Sequence, residues 1–339
     1  MLVGILIAKL LTVLVLLIDE IRRGIFWTVK RITPAKAATM PPTDNSIPRS
    51  AFLTWLGIII GGGFLSTFIY GFSNKYNYRV RKIKLNFPNL PKSFKGLRML
   101  QLSDIHSGSF NDKKAVHNGI LMALKEKPDI ILFTGDLVNN RSDEMNEYKD
   151  IFRELKAPMG VYSTLGNHDY GDYADWNSTE EKAANLEQLK SLQAEMGWKL
   201  LMNEHIIFER NNEKIALIGI ENWGAKGNFP KYGKLDIAYK GTENIPFKIL
   251  MSHDPSHWDA QVRPEYPSID LMLAGHTHGM QYGVELPHFK WSPIQYMYKQ
   301  WAGLYKTDNQ YLYVNRGYGF IGYPGRVGIL PEITVIELT

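Results

Sequence analysis

Two long apolar runs open the chain, and a rhythm of short ones follows. Leu2 to Ile18 is aliphatic apart from Lys9, and Ala51 to Phe72 carries no charge. A helix of about 20 apolar residues crosses the hydrocarbon core of a bilayer, so the pattern predicts transmembrane helices over about residues 2–18 and 51–72. Lys9 would then snorkel or face a neighbouring helix. The alternative for the first run is a signal peptide. Against it, no basic segment precedes the run and no Ala-x-Ala-like site follows before Asp19 and Glu20.

Beyond residue 82, short apolar runs alternate with amphipathic stretches. Strands are predicted at 98–103, 129–134 and 160–165, with helices at 112–127, 143–156 and 179–196, the last capped from Asn177-Ser-Thr. Asn211-Asn212 between apolar runs at 205–210 and 214–220 reads as a hairpin turn, since Asn tolerates positive φ. Further strands are expected at 247–252, 269–274, 311–315 and 333–338. This βαβ rhythm predicts an α/β fold whose strands run out into loops at one end, where open sheets gather their ligands. The domain reading is a membrane region over 1–72, a basic juxtamembrane linker and first strand over 73–96, and a catalytic domain over 97–339.

Charge changes the picture at the membrane. The chain has 339 residues, a net charge of +5 and no cysteine. Much of the excess sits around the second apolar run. Between the runs stand Arg22, Arg23, Lys30, Arg31, Lys36 and Arg49, in a stretch that ends in a Pro- and Ser-containing linker. From Ser73 to Arg98 there are eight basic residues and no acidic one. Anionic lipid headgroups account for this placement, whereas nucleic acid would call for aromatics interleaved with the charges inside the folded domain. Both flanks of the second run are positive, so the positive-inside rule does not orient it. The run Pro48-Arg-Ser-Ala-Phe-Leu resembles a degraded twin-arginine signal and tips the expectation toward an extracytoplasmic catalytic domain in a bacterial inner membrane, crossed more than once. Without cysteine, disulfides, thiolate nucleophiles and Cys-type zinc sites are excluded. No protein partner is indicated.

The candidate chemistry lies where strands end: Asp104-Ile-His106, Gly135-Asp136, Gly166-Asn167-His168-Asp169, Ser252-His253-Asp254 and Gly275-His276-Thr-His278-Gly279. Each alone is a weak signal. Together Asp104, His106, Asp136, Asn167, His253, His276 and His278 offer seven N and O donors without sulfur, more than one ion of four to six coordination can use. Two ions of the Mn, Fe or Zn type suit such an imidazole and carboxylate set. Two cations sharing a water lower its pKa and clamp the oxygens of an in-line displacement at phosphorus. His168, pointing away from its neighbour Asn167, is free to donate a proton to a leaving alkoxide.

These five segments, in this order, resemble the calcineurin-like metallophosphoesterase superfamily from about Leu97 to the C-terminus. The resemblance implies a four-layer αββα sandwich, with Asp104, His106 and His278 on a first metal and Asn167, His253 and His276 on a second. Asp136 is implied as the bridge, a bridging hydroxide as the nucleophile and His168 as the acid. Protein Ser/Thr phosphatases of the superfamily place a second Asp and an Arg where this chain has Leu137-Val-Asn139-Asn140, which disfavours phosphoprotein substrates. Asn139 then stands in to orient His168, and Asp169 and Asp254 orient neighbouring groups. The late motifs, with Met280, Gln281, Asn315-Arg-Gly317 and Pro331-Glu332, are similar to the membrane-anchored bacterial YkuE-like branch. In that wider group some members act on lipid-linked pyrophosphates.

The expected function is therefore a membrane-anchored phosphoesterase acting on a phosphodiester or pyrophosphate, with lipid or lipid-linked metabolites as substrates. Alternatives are a phosphodiesterase on soluble nucleotides or nucleic acid, and a non-catalytic binding or sensing module. His117, His205, His257 and His288 stand outside the motifs, with His257 near enough to His253 to support it. Met280 is expected to narrow the mouth of the site. Trp291, Tyr296, Tyr298, Trp301, Tyr305, Tyr318 and Tyr323 either pack under a long loop or form an amphipathic lid at the headgroup level.

Overall fold

A computed structural model describes residues 2–32, 49–227 and 229–339. Lys36, the Pro- and Ser-containing linker and Pro48 of the export-like run lie outside them. The chain divides into two compact units, Met1–Phe72 and Ser73–Thr339.

The first unit is a pair of helices, α1 (Leu2–Ile32) and α2 (Arg49–Gly71). Among the described residues one helix, Ala51–Asn74, is long and apolar enough to cross a membrane. The helix that holds the apolar run 2–18 continues past Ile18 to Ile32. No Gly, Pro or capping residue stops the helix there, and the charged half continues with one-turn pairs, Asp19–Arg22 at 2.8 Å and Glu20–Arg23 at 2.9 Å. Small residues bring the helices close. Thr12 Oγ1 donates to the Gly57 carbonyl at 3.1 Å, and a Cβ at Gly61 would lie 2.9 Å from the Ala8 carbonyl oxygen. Leu10, Leu14, Trp55 and Ile59 are exposed, a surface suited to lipid rather than water.

The second unit is built on two six-stranded sheets. The first runs in the order β1 (Arg79–Leu85), β14 (Glu332–Leu338), β2 (Arg98–Leu102), β3 (Ile130–Phe133), β4 (Val161–Ser163) and β5 (Trp198–Leu200). From β2 to β5 its strands are parallel. The second runs β12 (Gly303–Thr307), β13 (Gln310–Val314), β9 (Leu271–Ala274), β8 (Phe247–Met251), β7 (Glu213–Gly219) and β6 (Glu204–Arg210), parallel from β13 to β7. A separate hairpin pairs β10 (Val284–Leu286) with β11 (Phe289–Trp291).

Strand periodicity explains the layers. Successive side chains face opposite ways, and the sequence is apolar on both faces of the central strands, as buried parallel sheets require. Ile130 and Leu132 of β3 join Ile249, Met251, Leu271 and Leu273 in the core between the sheets. Ile131 and Phe133 face the other way, onto α3 (Lys113–Lys125), the single turn α4 (Lys149–Phe152) and α5 (Thr179–Glu195). On the far side, Leu250, Met272 and Ala274 pack with Leu235, Trp258 and Val262 of short helical segments. The result is the expected helix–sheet–sheet–helix sandwich.

Local signals placed most elements. The Asp112 carboxylate caps α3 by accepting from Ala115 N–H, and Ser178 caps α5 by accepting from Glu181 N–H. Asn211 and Asn212 turn the β6–β7 hairpin at φ 50° and 61°. The helix expected at 143–156 is not continuous. Glu144 turns back to accept from the N–H groups of Asn139, Asn140 and Arg141 at 2.6 to 3.0 Å, which holds Ser142–Met145 as a 3₁₀ turn. The first strand expected within 73–96 is β1, whereas β5, β10, β11 and β12 were not legible as such. β1 is an edge strand whose alternate positions are Arg and Lys, so its hydrophobic signal is diluted.

Candidate metal centre

Every motif sits just beyond the carboxyl end of a parallel strand: Asp104 and His106 after β2, Asp136 after β3, Asn167 and His168 after β4, His253 after β8, His276 and His278 after β9. Because β2, β3 and β4 lie in one sheet and β8 and β9 in the other, the loops meet at one end of the sandwich. The backbone there is unusual. Asp104, His106, Asp136, His276 and His278 all have φ between 49° and 70°, a region that costs a non-glycine residue free energy and collects at functional sites. Cross-loop bonds hold it: Asp104 N–H donates to the Gly135 carbonyl at 2.9 Å, and Ile105 N–H to the Asp136 carbonyl at 2.8 Å. The loops approach so closely that a Cβ on Gly275 would stand 1.9 Å from Ser103 Oγ and 2.1 Å from Asp104 Oδ2.

The side chains converge as two groups. Asp104, His106 and His278 present ligand atoms within 4.8 Å of one another, and so do Asp136, His253 and His276. Asp136 Oδ2 lies 3.6 Å from His106 Nε2 and 3.1 Å from His253 Nε2, between the groups. His278 Nε2 is 3.3 Å from Asp104 Oδ1, and Asn167 Oδ1 is 2.9 Å from His276 Nδ1. The Nε2 atoms of His106, His253 and His278 are buried with no hydrogen-bond partner among the described residues. Buried polar atoms are almost always satisfied, so three orphaned imidazole nitrogens aimed at two carboxylates fit divalent cations. The donor set of imidazoles, carboxylates and one amide fits Mn, Fe or Zn.

Electrostatics agree with that fit. Burial pushes His106 down to about 3 and lowers His276 and His278 as well, leaving neutral rings with lone pairs to give. His253 goes the other way: burial opposes its charge, but the adjacent Asp136 carboxylate prevails and holds it up to about 10. Burial would raise Asp136, yet the His253 and His168 imidazoles hold it well below the usual carboxylate range. Burial lifts Asp104 to about 6.

The supporting groups are only partly those expected. Asp169 touches none of the clustered donor atoms. Its carboxylate accepts from the N–H groups of Asp136, Leu137, Val138 and Gly166, fixing the loop that carries Asp136. Asp254 accepts from Ser256 N–H and lies 3.7 Å from His276 Nε2. Asn139 meets His168 through its backbone carbonyl, which accepts from Nδ1 at 2.8 Å, while its side chain bonds Ser109. His257 is buried between Ser252 Oγ and Gln261 Oε1, both at 2.9 Å. His117 pairs with Glu154, His205 with the Ala238 carbonyl, and His288 is exposed.

Tyr298, Tyr173 and Arg326 belong to the site and carried no motif. Tyr298 Oη lies 2.9 Å from His276 Nε2 and 3.4 Å from Asp254 Oδ2. Tyr173 Oη accepts from Asn167 Nδ2 at 3.0 Å, turning Oδ1 toward His276. Arg326 is wholly buried, with its guanidinium against His278 Nδ1 and the carbonyls of Arg316, Gly317 and Gly319. Of the two readings of the aromatic stretch, packing describes most of its rings. Tyr298 and Trp301 pack with Ala302 and Ile329, Tyr318 stacks on Tyr78, and among these rings Tyr296 is the one freely exposed. The cavity over the donors, about 260 Å³, is walled by Tyr173, Phe229 and Ile321 rather than by Met280.

Residues 97–280 match the calcineurin-like phosphoesterase family, and residues 1–75 match the transmembrane domain of a calcineurin-like phosphoesterase family. A transmembrane protein with metallophosphoesterase domain from Danio rerio is 30% identical over 278 residues, covering 80% of this chain but 60% of that protein. The uncharacterized metallophosphoesterase YkuE of Bacillus subtilis is 31% identical over 260 residues, covering 74% of this chain and 81% of YkuE. UDP-2,3-diacylglucosamine pyrophosphatase LpxG of Chlamydia trachomatis is 29% identical over 285 residues, covering 71% of this chain and 84% of LpxG.

Proposed function

The chain belongs to the calcineurin-like phosphoesterase family, and on that premise we propose that it hydrolyses a phosphodiester or pyrophosphate bond in a lipid or lipid-linked metabolite. It is a membrane-associated, metal-dependent phosphoester hydrolase. In our reading Asp104, His106 and His278 would hold one divalent ion, Asn167, His253 and His276 a second, and Asp136 would serve both. The observation that carries this is the trio of buried Nε2 atoms that face Asp104 and Asp136 without a hydrogen-bond partner among the described residues. Two divalent cations supply Lewis acidity and neutralise charge on the phosphoryl group.

The chain's own residues do the rest. The Asn139 carbonyl can only accept, so Nδ1 of His168 carries hydrogen, and it is Nε2 of the doubly protonated ring that would hand a proton to the leaving oxygen. His168 N–H donates to Asp136 Oδ1 at 2.9 Å, which fixes the distance between acid and bridge. Tyr173 holds Asn167, and with Phe229 and Ile321 it lines the cavity. Apolar walls beside a phosphoryl site suit an amphiphilic substrate. The relation to LpxG, whose named substrate is a diacylated nucleotide sugar, supports a lipid-linked pyrophosphate. A multi-pass anchor with α1 as a second span, and a catalytic unit outside the cytoplasm, complete the reading; the Thr12–Gly57 contact supports the helix pairing.

The test is turnover by the full chain in detergent, stripped of metal and refilled with Mn²⁺. A chromogenic phosphodiester is compared with a lipid-linked pyrophosphate and a soluble dinucleotide. Metal-restored hydrolysis that favours the lipid-linked compound and falls sharply in His168→Ala supports the reading. Equal or better turnover of the dinucleotide would shift the substrate to soluble nucleotides. Absence of any metal-restored hydrolysis would remove the catalytic reading.

A further inference from the structure

On the edge of the sandwich, β1 of one sheet and β12 of the other leave a cleft of about 610 Å³, roofed by the β10–β11 hairpin. It shares no lining residue with the metal cavity. Four lining residues are cationic, Arg81, Lys82, Lys290 and Arg316, against one carboxylate, Glu285. Glu285 bonds both arginines at 2.6 Å, and both also face the buried Glu332, so that quartet is balanced. The lysines carry the surplus. Lys290 has no carboxylate partner among the described residues; its Nζ donates to the Ala302 carbonyl and to Tyr305 Oη at 3.1 Å. Lys82 is mostly exposed and shares Glu126 with Arg98.

The rim is of opposite character. Leu286 is 60% exposed and Phe289 56%, flanking the two-residue tip Pro287-His288, and Leu304 of β12 is 40% exposed. Large apolar side chains on a hairpin tip gain nothing from water, and unlike scattered exposed residues they adjoin a cationic hollow. A phosphate set among cations with acyl or glycerol carbons against Leu and Phe is the signature of an anionic phospholipid surface. Chain order adds to this. β1, which forms one wall, begins five residues after Asn74, the last residue of the candidate span.

We propose that the β10–β11 hairpin and the cleft behind it dock on the anionic phospholipid surface of the membrane that holds the chain, with Leu286 and Phe289 entering the headgroup layer and Lys82 and Lys290 taking phosphates. The proposal rests on membrane association and not on hydrolysis. Its readout is therefore a fluorescence signal that turnover does not enter.

The absence of cysteine allows a single label. Full-length Phe289→Cys carrying an environment-sensitive fluorophore is placed in nanodiscs of phosphatidylcholine with or without phosphatidylglycerol, beside Asn212→Cys on the exposed β6–β7 turn. The label at 289 should shift to the blue and be quenched by doxyl-labelled lipid when phosphatidylglycerol is present, and the label at 212 should not. Adding Lys82→Gln should lower the docked-to-undocked ratio by about fivefold, the effect of one cation near an anionic surface. Two results overturn the proposal. One is a label at 289 as exposed as that at 212 in both nanodiscs. The other is the same blue shift produced by glycerol phosphate in detergent without bilayer lipid, which would make the cleft a site for a soluble phosphate compound.

Discussion

Replacing Tyr298 by Phe removes one oxygen and tests how the second ion's site is built. Oη lies 2.9 Å from His276 Nε2 and 3.4 Å from Asp254 Oδ2. The phenol donates to the carboxylate and accepts from Nε2–H, which leaves Nδ1 with a lone pair for the ion that it and Asn167 Oδ1, 2.9 Å away, would share. Burial and the nearby Asp254 raise the Tyr298 phenol, so it stays a neutral hydrogen-bonding group at any working pH. Without it, the next acceptor for Nε2–H is Asp254 Oδ2 at 3.7 Å, too far to bond without movement. A buried donor left unsatisfied costs about 1–3 kcal/mol. Groups that orient a metal-binding imidazole typically govern about 10- to 100-fold in affinity. We expect a loss of that size for one ion, the one that His276, His253 and Asn167 would hold, with the ion proposed at Asp104, His106 and His278 unaffected. Competition between Mn²⁺ and a chelator, read as metal content and as turnover, separates the two sites. Activity should return at saturating metal. Unchanged affinity, or an equal loss at both sites, would refute the reasoning.

Other perturbations follow from the same geometry. Gly275→Ala should depress metal binding and turnover with a folded protein by circular dichroism, because a Cβ 2.1 Å from Asp104 Oδ2 must push that carboxylate aside by about 1 Å, a displacement that can cost about 100-fold. Loading the stripped protein at pH 7 should release close to one proton, from His253, whose metal-free pKa is up at about 10, while His106 at about 3 contributes none. Calorimetry in buffers of different ionisation enthalpy counts it, and affinity should climb as pH rises toward that value. Burial would raise Glu332, but Arg316 and Arg81 hold it below its ordinary value of 4.5. The stability it contributes is thus present above pH 4.5 and lost as pH falls through its lower folded value. Glu332→Gln should cost about 3–5 kcal/mol in urea titrations at pH 7, and progressively less as acid protonates the parent residue.

The residues that converge were legible as a set because each motif follows an apolar strand, and parallel strands carry their ends to one side of the sandwich. Asp104, Asp136 and His253 could be picked out as members of that ordered set. Tyr298 and Arg326 could not, since each acts on a residue 22 or 48 positions away through contacts that only the closed sandwich creates. The aromatic content of that segment left packing and a surface lid both open; Trp301 is core, and the exposed apolar tip belongs to Leu286 and Phe289 of a hairpin with little periodicity. The helix expected at 143–156 shows the reverse failure. Its charged, helix-favouring composition was overridden by Glu144 bonding three backbone N–H groups upstream. The α1 helix ran on past Ile18 because hydropathy marks where lipid could be, not where a helix ends.

The most direct test of the dinuclear reading is stepwise refilling of the stripped full-length chain with Mn²⁺, following bound metal by mass spectrometry and phosphodiester turnover on the same samples. Two ions per chain are expected, with activity tracking occupancy by the second and both lost in Asp136→Asn. Full activity with a single ion bound, or an Asp136→Asn variant that binds two ions and turns over normally, would contradict the account.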